Sequence, residues 1–234
     1  MILIPRKTTP GQNLLLPNTV ANPRKNFFGM FIGGNRTGKS SMAKIYAEKY
    51  KAYNPENEIV AFDPQRKFND IADDFIFATD KHWEQEIVTK RNCLIVFDDY
   101  KLINMQNQPA KALIQLMNFR AEWNVDLIFV THSPNLVLTY LAYYITHYYI
   151  FYTQTQKDSF ENKIPNYETC IRASRYINAY VREYGRGAWP NFPHVVVDDE
   201  NDKMTFQYTE KDKLLKIITA VDQEYYANRT KRRR

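Results

Sequence analysis

Residues 33–40, Gly-Gly-Asn-Arg-Thr-Gly-Lys-Ser, combine the residue types that bind a phosphate group. They fit the phosphate-binding loop (P-loop) pattern G-x-x-x-x-G-K-[ST], with Gly33, Gly38, Lys39 and Ser40 at the fixed positions. In such a loop, glycines let backbone N–H groups surround a phosphate, and the following helix N-terminus adds a partial positive charge. We expect Lys39 to reach the β- and γ-phosphates and Ser40 to hold Mg²⁺ through its hydroxyl.

The residues on either side of this loop support that interpretation. An apolar segment, 27–32, precedes it and predicts a buried strand, while 41–47 predicts a helix. Strand, loop and helix in this order form the context that the motif requires. The sequence therefore predicts ATP and Mg²⁺ as ligands. The expected nucleotide contacts are Gly33, Gly34, Asn35, Arg36, Thr37, Gly38, Lys39, Ser40 and Ser41.

A second apolar segment, 94–97, ends in the carboxylates Asp98 and Asp99. This pattern is typical of the Walker B strand, in which Asp98 would bind Mg²⁺ through water together with Ser40. Asp99 takes the position where many such ATPases carry a glutamate that polarises the attacking water. A buried strand that happens to end in a polar turn gives the same pattern, but the upstream P-loop favours a metal site.

A third apolar segment, 127–130, ends in Thr131 and His132. In P-loop ATPases with an additional strand, this neighbouring strand carries a polar sensor for the γ-phosphate, and these two residues are the candidates. Thr131 or Ser133 could also cap the helix that Pro134 begins. Sensing and capping are compatible with each other.

Arg120 lies at the end of the helical pattern before that strand. A guanidinium group is suited to neutralising phosphoryl charge across a subunit boundary. A surface arginine that pairs with Glu122 or Asp126 explains the residue equally well, so both interpretations stay open.

Apolar strand patterns and helical patterns alternate along the chain, which predicts a mostly parallel sheet covered on both faces. The predicted strands are 27–32, 58–62, 93–97, 127–131 and 148–153, and the predicted helices lie near 39–52, 81–90, 108–123 and 134–143. Beyond residue 165 the sequence predicts a helix over 167–184 with Gly185 as its C-terminal cap, a hairpin of 194–197 and 204–208, and a final helix near 211–227.

These elements predict an α/β fold of the P-loop NTPase class, additional-strand type, with a small C-terminal helix and hairpin region. We divide the chain into an N-terminal arm (1–25), an ATPase core (26–165) and a C-terminal extension (166–234). The net charge of +6 is compatible with a polyanionic partner. The two cysteines form neither a metal pattern nor a disulfide framework. No apolar run approaches the length of a membrane span, so none is expected.

Basic residues near the C-terminus are candidates for nucleic-acid contacts. Arg172, Arg175 and Arg182 share one face of the predicted helix, next to a stripe of Tyr176, Tyr180 and Tyr184. Arginine can hold phosphates and tyrosine can stack on bases. A helix packed by its tyrosines with its arginines in solvent fits as well. The cluster Lys231, Arg232, Arg233 and Arg234 would add salt-dependent affinity for DNA, or act only as a solubilising tail.

The order of these motifs resembles the FtsK–HerA group of P-loop ATPases over about residues 26–153. That group continues from an arginine through an apolar strand to Thr-Gln-x-Pro, and here the matching residues are Arg120, 127–130, Thr131, His132 and Pro134. The resemblance implies that His132 stands at the place of the sensor glutamine and Asp99 at the place of the usual glutamate.

The compact size is most similar to the genome-packaging ATPases of membrane-containing, double-jelly-roll viruses, which assemble as rings. That resemblance implies ATP hydrolysis coupled to translocation of double-stranded DNA into a preformed capsid. It also implies a ring of five or six subunits, a viral capsid vertex as partner, and a location in the virion or host cytoplasm rather than secretion. Single-stranded DNA stays open as a substrate.

Other classes share parts of the pattern. Arg36 within the loop also resembles the large terminases of tailed phages, although the C-terminal region is too short for their nuclease domain. Filamentous-phage assembly ATPases have a similar core but usually carry a transmembrane helix. A nucleotide-binding scaffold that does not hydrolyse ATP and a small-molecule kinase are further alternatives.

Overall fold

The computed structural model describes residues 2–3, 27–77, 81–98, 111–133, 137, 139–153, 164–165, 167–188, 190–199 and 203–231. Within them, nine strands form one sheet. They are β1 Ile2–Leu3, β2 Phe28–Ile32, β3 Glu58–Phe62, β4 Asp74–Phe75, β5 Cys93–Asp98, β6 Val125–Thr131, β7 His147–Phe151, β8 His194–Asp198 and β9 Lys203–Gln207. Their order across the sheet is β1-β9-β8-β7-β2-β6-β5-β3-β4.

Between β7 and β4 in this order, every pair of adjacent strands is parallel. The last hairpin reverses this direction, since β8 is antiparallel to both β7 and β9, and β1 runs parallel to β9 at the far edge. The helices are α1 Lys39–Tyr53, α2 Trp83–Ile87, α3 Lys111–Trp123, α4 Thr139–Ala142, α5 Tyr167–Tyr184 and α6 Lys211–Lys231. Among the described residues, no helix combines the length and apolar character needed to cross a bilayer.

The parallel strands are mostly apolar because helices cover both faces of the sheet. In β5, for example, Ile95 and Phe97 pack in one cluster while Leu94 and Val96 pack in the other. The first cluster is closed by α3, α4 and α5, and the second by α1. Side chains alternate along a strand, so a strand in such a sheet is apolar at successive positions, and Asp126 in β6 is an exception.

The structure confirms the predicted fold class and most of the predicted elements. β3 has the predicted bounds, and so does α5, where Gly185 follows with a φ of +91° and donates its N–H to the Val181 carbonyl at 2.9 Å. The helix predicted near 81–90 is shorter, since α2 ends at Ile87 and the Thr89 hydroxyl donates to the Glu86 carbonyl at 2.7 Å. The two-residue strands β1 and β4 were not predicted.

The predicted C-terminal hairpin is present as β8 and β9, and it extends the central sheet through β7. The division of the chain at residue 165 stays a prediction from sequence. Most of the predicted N-terminal arm, residues 4–25, lies outside the described residues.

Candidate nucleotide-binding site

The P-loop joins the end of β2 to the start of α1 and is anchored to both strands beside β2. Gly33 donates its N–H to the Thr131 carbonyl at the end of β6, at 3.2 Å, and Gly34 donates to the Tyr152 carbonyl just after β7, at 2.8 Å. The loop therefore lies at the carboxyl ends of the parallel strands, which is where open α/β sheets bind ligands.

Close packing around the loop explains two of its glycines. Gly38 caps α1 in a left-handed conformation with a φ of +92°, and a Cβ there would overlap the ring of Phe192. A Cβ on Gly33 would lie 2.7 Å from the Cβ of Phe151. Both positions need a residue without a side chain, so the loop path is fixed by its neighbours as well as by its own sequence.

Lys39 and Thr37 point back into the loop that precedes them. The Lys39 Nζ donates to the Gly34 carbonyl at 2.7 Å, and the Thr37 hydroxyl donates to the same oxygen at 2.9 Å. Lys39 is buried, so its ammonium group is held over the mouth of the loop. A phosphate that enters the loop would meet this charge together with the N–H groups at the start of α1.

Ser40 and Asp98 meet at the predicted metal position, where the Ser40 hydroxyl donates to Asp98 Oδ1 at 2.9 Å. Asp98 is buried at the end of β5. Mg²⁺ prefers oxygen ligands, and at nucleotide sites it takes one or two from the protein and the rest from water and phosphates. The paired hydroxyl and carboxylate fit such an ion. No cluster of three metal-ligating side chains occurs in the described part of the chain, and a site of this kind needs none.

The two predicted sensor residues follow one another at the end of β6 but differ in their contacts. His132 is exposed, and its Nδ1 lies 3.4 Å from the Lys39 Nζ. Thr131 is buried, and its hydroxyl donates to the Ser133 carbonyl at 3.2 Å, within its own turn. Of the two candidates, His132 is the side chain placed next to the expected phosphate. Asp99 lies outside the described residues.

Arg120 lies far from the P-loop of its own chain. Its Nη2 donates to the Tyr144 carbonyl at 3.2 Å, and its guanidinium lies 5.7 Å from the ring centroid of Phe28. Phe28 begins β2 and the P-loop follows its end at Ile32, so the two are separated by the strand length of about 13 Å. If Arg120 acts on a nucleotide, that nucleotide belongs to another subunit.

Arg120 also has a local electrostatic role. Burial raises the pKa of the Asp126 carboxyl to about 7, whereas the hydrogen bond from the Phe27 N–H and the nearby charge of Arg120 lower it. The Phe27 N–H donates to Asp126 Oδ1 at 2.7 Å. The charge of Arg120 is thus felt at Asp126, while the hydrogen bond from its Nη2 goes to the Tyr144 carbonyl.

Two residues of the site were not predicted. Lys67, in the segment after β3, donates to Asp98 Oδ2 at 2.6 Å, and Phe192, before β8, packs on Gly38. For Lys67 the only signal in the sequence is indirect. The residue follows the predicted strand 58–62, and the carboxyl ends of parallel strands lie at the same edge of a sheet, where Asp98 also lies. Nothing in the sequence indicated that residue 192 would reach the P-loop.

Among the candidate nucleic-acid residues on α5, some side chains are buried in the core and others are exposed. Tyr176 and Tyr180 are buried, so for these two rings the structure favours the alternative in which the tyrosines pack the helix. Arg172 donates to the Tyr176 hydroxyl at 3.3 Å, which donates to Asp222 of α6 at 2.7 Å. Arg172 and Arg182 are exposed and Arg175 is half-buried. Lys231 ends α6, its side chain is outside the described part, and so are Arg232, Arg233 and Arg234.

Similar folds occur among solved structures of P-loop ATPases. The genome packaging NTPase B204 of Sulfolobus turreted icosahedral virus 2, solved with AMPPCP, has a TM-score of 0.55 and 14% identity over 80% of this chain and 98% of that chain. B204 of Sulfolobus turreted icosahedral virus, described as a DNA-packaging ATPase, has a TM-score of 0.55 and 14% identity, with 79% and 98% covered.

The cytoplasmic domain of the type VII secretion ATPase EccC of Thermomonospora curvata gives a TM-score of 0.52 and 11% identity, over 79% of this chain and 24% of that chain. No protein-family model matches the sequence, and no curated protein matches it. At these identities the likeness concerns the fold. It confirms the resemblance to packaging-type P-loop ATPases at that level.

Proposed function

We propose that this protein is an ATPase that drives double-stranded DNA into a preformed viral capsid. The observation that carries the proposal is the assembled site, in which Lys39 lies over the P-loop while Ser40 bonds to the buried Asp98. The likeness to B204 supports the packaging role, because the similarity extends over 98% of that chain. In this role the protein would work in the virion or in the host cytoplasm.

Each residue of the site has a chemical task in this proposal. The N–H groups of the P-loop and the ammonium of Lys39 bind the β- and γ-phosphates of ATP. Ser40 and Asp98 hold Mg²⁺, which when bound supplies further positive charge to the phosphates. Asp99 positions the attacking water, and His132, next to Lys39, reports the state of the γ-phosphate. Hydrolysis leaves ADP and phosphate as two separate anions, and the repulsion between them favours release of the phosphate.

Duplex DNA is expected to raise the rate of ATP hydrolysis several-fold, and the stimulation is expected to weaken as salt rises. The physical reason is that lysine and arginine release counterions from the phosphate backbone, an effect that falls steeply between about 50 and 200 mM salt. The measurement is the ATPase rate with duplex DNA, single-stranded DNA and RNA at these two salt concentrations. Stimulation by RNA alone, or none by any of the three, would refute the packaging role and leave the ATPase.

We infer further that the protein acts as a homo-oligomeric ring of five or six subunits at the capsid vertex. The position of Arg120 supports this inference, because the residue cannot reach the P-loop of its own chain. A ring also places one subunit's α3 beside the site of the next, as a finger acting across the boundary requires.

Mixing two inactive variants tests this arrangement. Lys39→Ala subunits retain Arg120, and Arg120→Ala subunits retain an intact P-loop, so the mixture is expected to recover a measurable fraction of the wild-type ATPase rate. Arg120→Lys serves as the matched control, since it keeps the charge near Asp126 but loses the planar fork. Melting curves establish that each variant folds. Activity of Arg120→Ala alone at the wild-type rate would contradict the inference.

A further inference from the structure

The contact between Lys67 and the predicted metal carboxylate has no part in the function proposed above. The Lys67 Nζ lies 2.6 Å from Asp98 Oδ2, while the Ser40 hydroxyl bonds to Oδ1 of the same group at 2.9 Å. Both oxygens of the carboxylate are thus engaged by the protein itself. The Asp98 side chain is 2% exposed and that of Lys67 is 39% exposed, so a solvent-accessible cation neutralises a buried anion.

The segment that carries Lys67 is held in place at its backbone. Asp63, fully buried just after β3, accepts the N–H groups of Gln65 at 2.9 Å and Phe68 at 3.2 Å, and also that of Lys67. Phe68 is itself buried in the core. Since backbone and neighbours are fixed, the lysine can leave Asp98 by rotating its own side chain, with no movement of the segment.

Lys67 and Mg²⁺ have similar electrostatic requirements at this point. Each is a hydrated cation that lowers the cost of burying the Asp98 charge. An ion bound to Ser40 and, through water, to Asp98 would lie close to an ammonium at Oδ2, and the two positive charges repel each other. Electrostatic repulsion therefore disfavours a state in which Mg²⁺ and the Lys67 ammonium are bound to this carboxylate at the same time.

We propose that Lys67 is the counter-ion of Asp98 in the nucleotide-free protein and that it leaves the carboxylate when Mg²⁺ enters with nucleotide. This inference rests on the proposed function, because it assumes that Asp98 serves the metal. Lys67 is a positioning residue in this account: it keeps the buried carboxylate neutralised and oriented between turnovers. By competing for Asp98, it also weakens the hold on Mg²⁺ and eases loss of the ion with the product.

The test measures how binding of a fluorescent ADP analogue depends on free Mg²⁺. Removing the competing cation in Lys67→Ala is expected to lower the Mg²⁺ concentration for half-maximal binding by roughly three- to tenfold, as a modest ion-pair energy would give. Without nucleotide or metal, the same variant is expected to melt at a lower temperature than the wild type. Added Mg²⁺ and ADP should then raise its melting temperature by a larger amount.

Three further variants sharpen the result. Lys67→Gln keeps most of the side-chain length without the charge and should behave as Lys67→Ala does, whereas Lys67→Arg should need nearly the wild-type concentration of Mg²⁺. Lys44→Ala removes a positive charge from α1, where Lys44 pairs with Asp70, and should leave the Mg²⁺ dependence unchanged. An unchanged or higher Mg²⁺ requirement in Lys67→Ala and Lys67→Gln would overturn the inference. Failure of the wild type to bind the analogue at any Mg²⁺ concentration would overturn the nucleotide site as well.

Discussion

Lys39→Ala is expected to reduce ATP hydrolysis by at least about 100-fold, the size of effect seen when one preorganised electrostatic contact to a transition state is lost. The structure explains why the change should leave the fold intact. Lys39 is buried by the loop that it serves, and its Nζ donates to the Gly34 carbonyl and lies 3.4 Å from His132 Nδ1, both within the site. The measurement is the steady-state release of phosphate, with a melting curve taken in parallel.

Lys44→Ala is the matched control for this experiment, because it removes the same charge from the same helix. The Lys44 side chain pairs with Asp70, which lies outside the P-loop. Its ATPase rate is expected to stay close to that of the wild type. If Lys39→Ala hydrolyses ATP at more than a tenth of the wild-type rate, Lys39 is not the phosphate-binding lysine.

Gly38→Ala is expected to destabilise the protein by about 2–5 kcal/mol and to abolish nucleotide binding. One part of this cost is backbone strain, since a φ of +92° is unfavourable for alanine by about 1–2 kcal/mol. The second part is overlap of the new Cβ with the ring of Phe192, and such overpacking typically costs about 1–3 kcal/mol. Chemical denaturation gives the free energy of unfolding, and titration with an ATP analogue gives the affinity.

Gly185→Ala separates these two contributions. Gly185 has a φ of +91°, nearly the same as Gly38, but nothing lies within 4 Å of a Cβ built there. Gly185→Ala should therefore lower the free energy of unfolding by the strain alone, about 1–2 kcal/mol, and leave the affinity for nucleotide unchanged. Adding Phe192→Ala to Gly38→Ala should recover part of the lost stability, because it removes the ring atoms at 2.1 and 2.3 Å from the new Cβ. The strain and the 2.7 Å contact with the Cβ of residue 192 remain. If Gly38→Ala and Gly185→Ala lower the free energy of unfolding by the same amount, Phe192 does not constrain the loop.

The parallel core of the fold was predictable from sequence because each buried strand is a short apolar run ending in a polar group. β3, β5 and β6 were all found in this way. The P-loop motif and the end of β5 also predicted that Ser40 and Asp98 would lie together, and the structure places them 2.9 Å apart, whereas their role as metal ligands stays a prediction. The helix Tyr167–Tyr184 was predicted with its bounds because apolar side chains recur at helical spacing and Gly185 ends it.

Contacts that depend on which strands lie side by side could not be predicted. Lys67 contacts Asp98 because β3 pairs with β5, and the sequence of neither strand indicates which strand lies next to it. Phe192 reaches Gly38 because β8 joins the sheet beside β7, which places the preceding loop over the P-loop. The burial of Tyr176 and Tyr180 stayed open for a related reason, because an isolated helix pattern does not show its partner. In the structure α6 lies against α5, and its Asp222 accepts a hydrogen bond from the Tyr176 hydroxyl.

The position of β2 in the middle of the sheet has a consequence for how the protein forms on the ribosome. Its partners β6 and β7 lie far along the chain, and the Phe27 N–H bonds to a carboxylate 99 residues away. Pairings of this kind form slowly, because a long loop must close before the contacts compensate for the lost entropy. The P-loop is anchored to Thr131 and Tyr152, so it takes its final shape only after β7 has been synthesised. Capture of ATP by a nascent chain would then be a sign that the entire parallel sheet has already assembled.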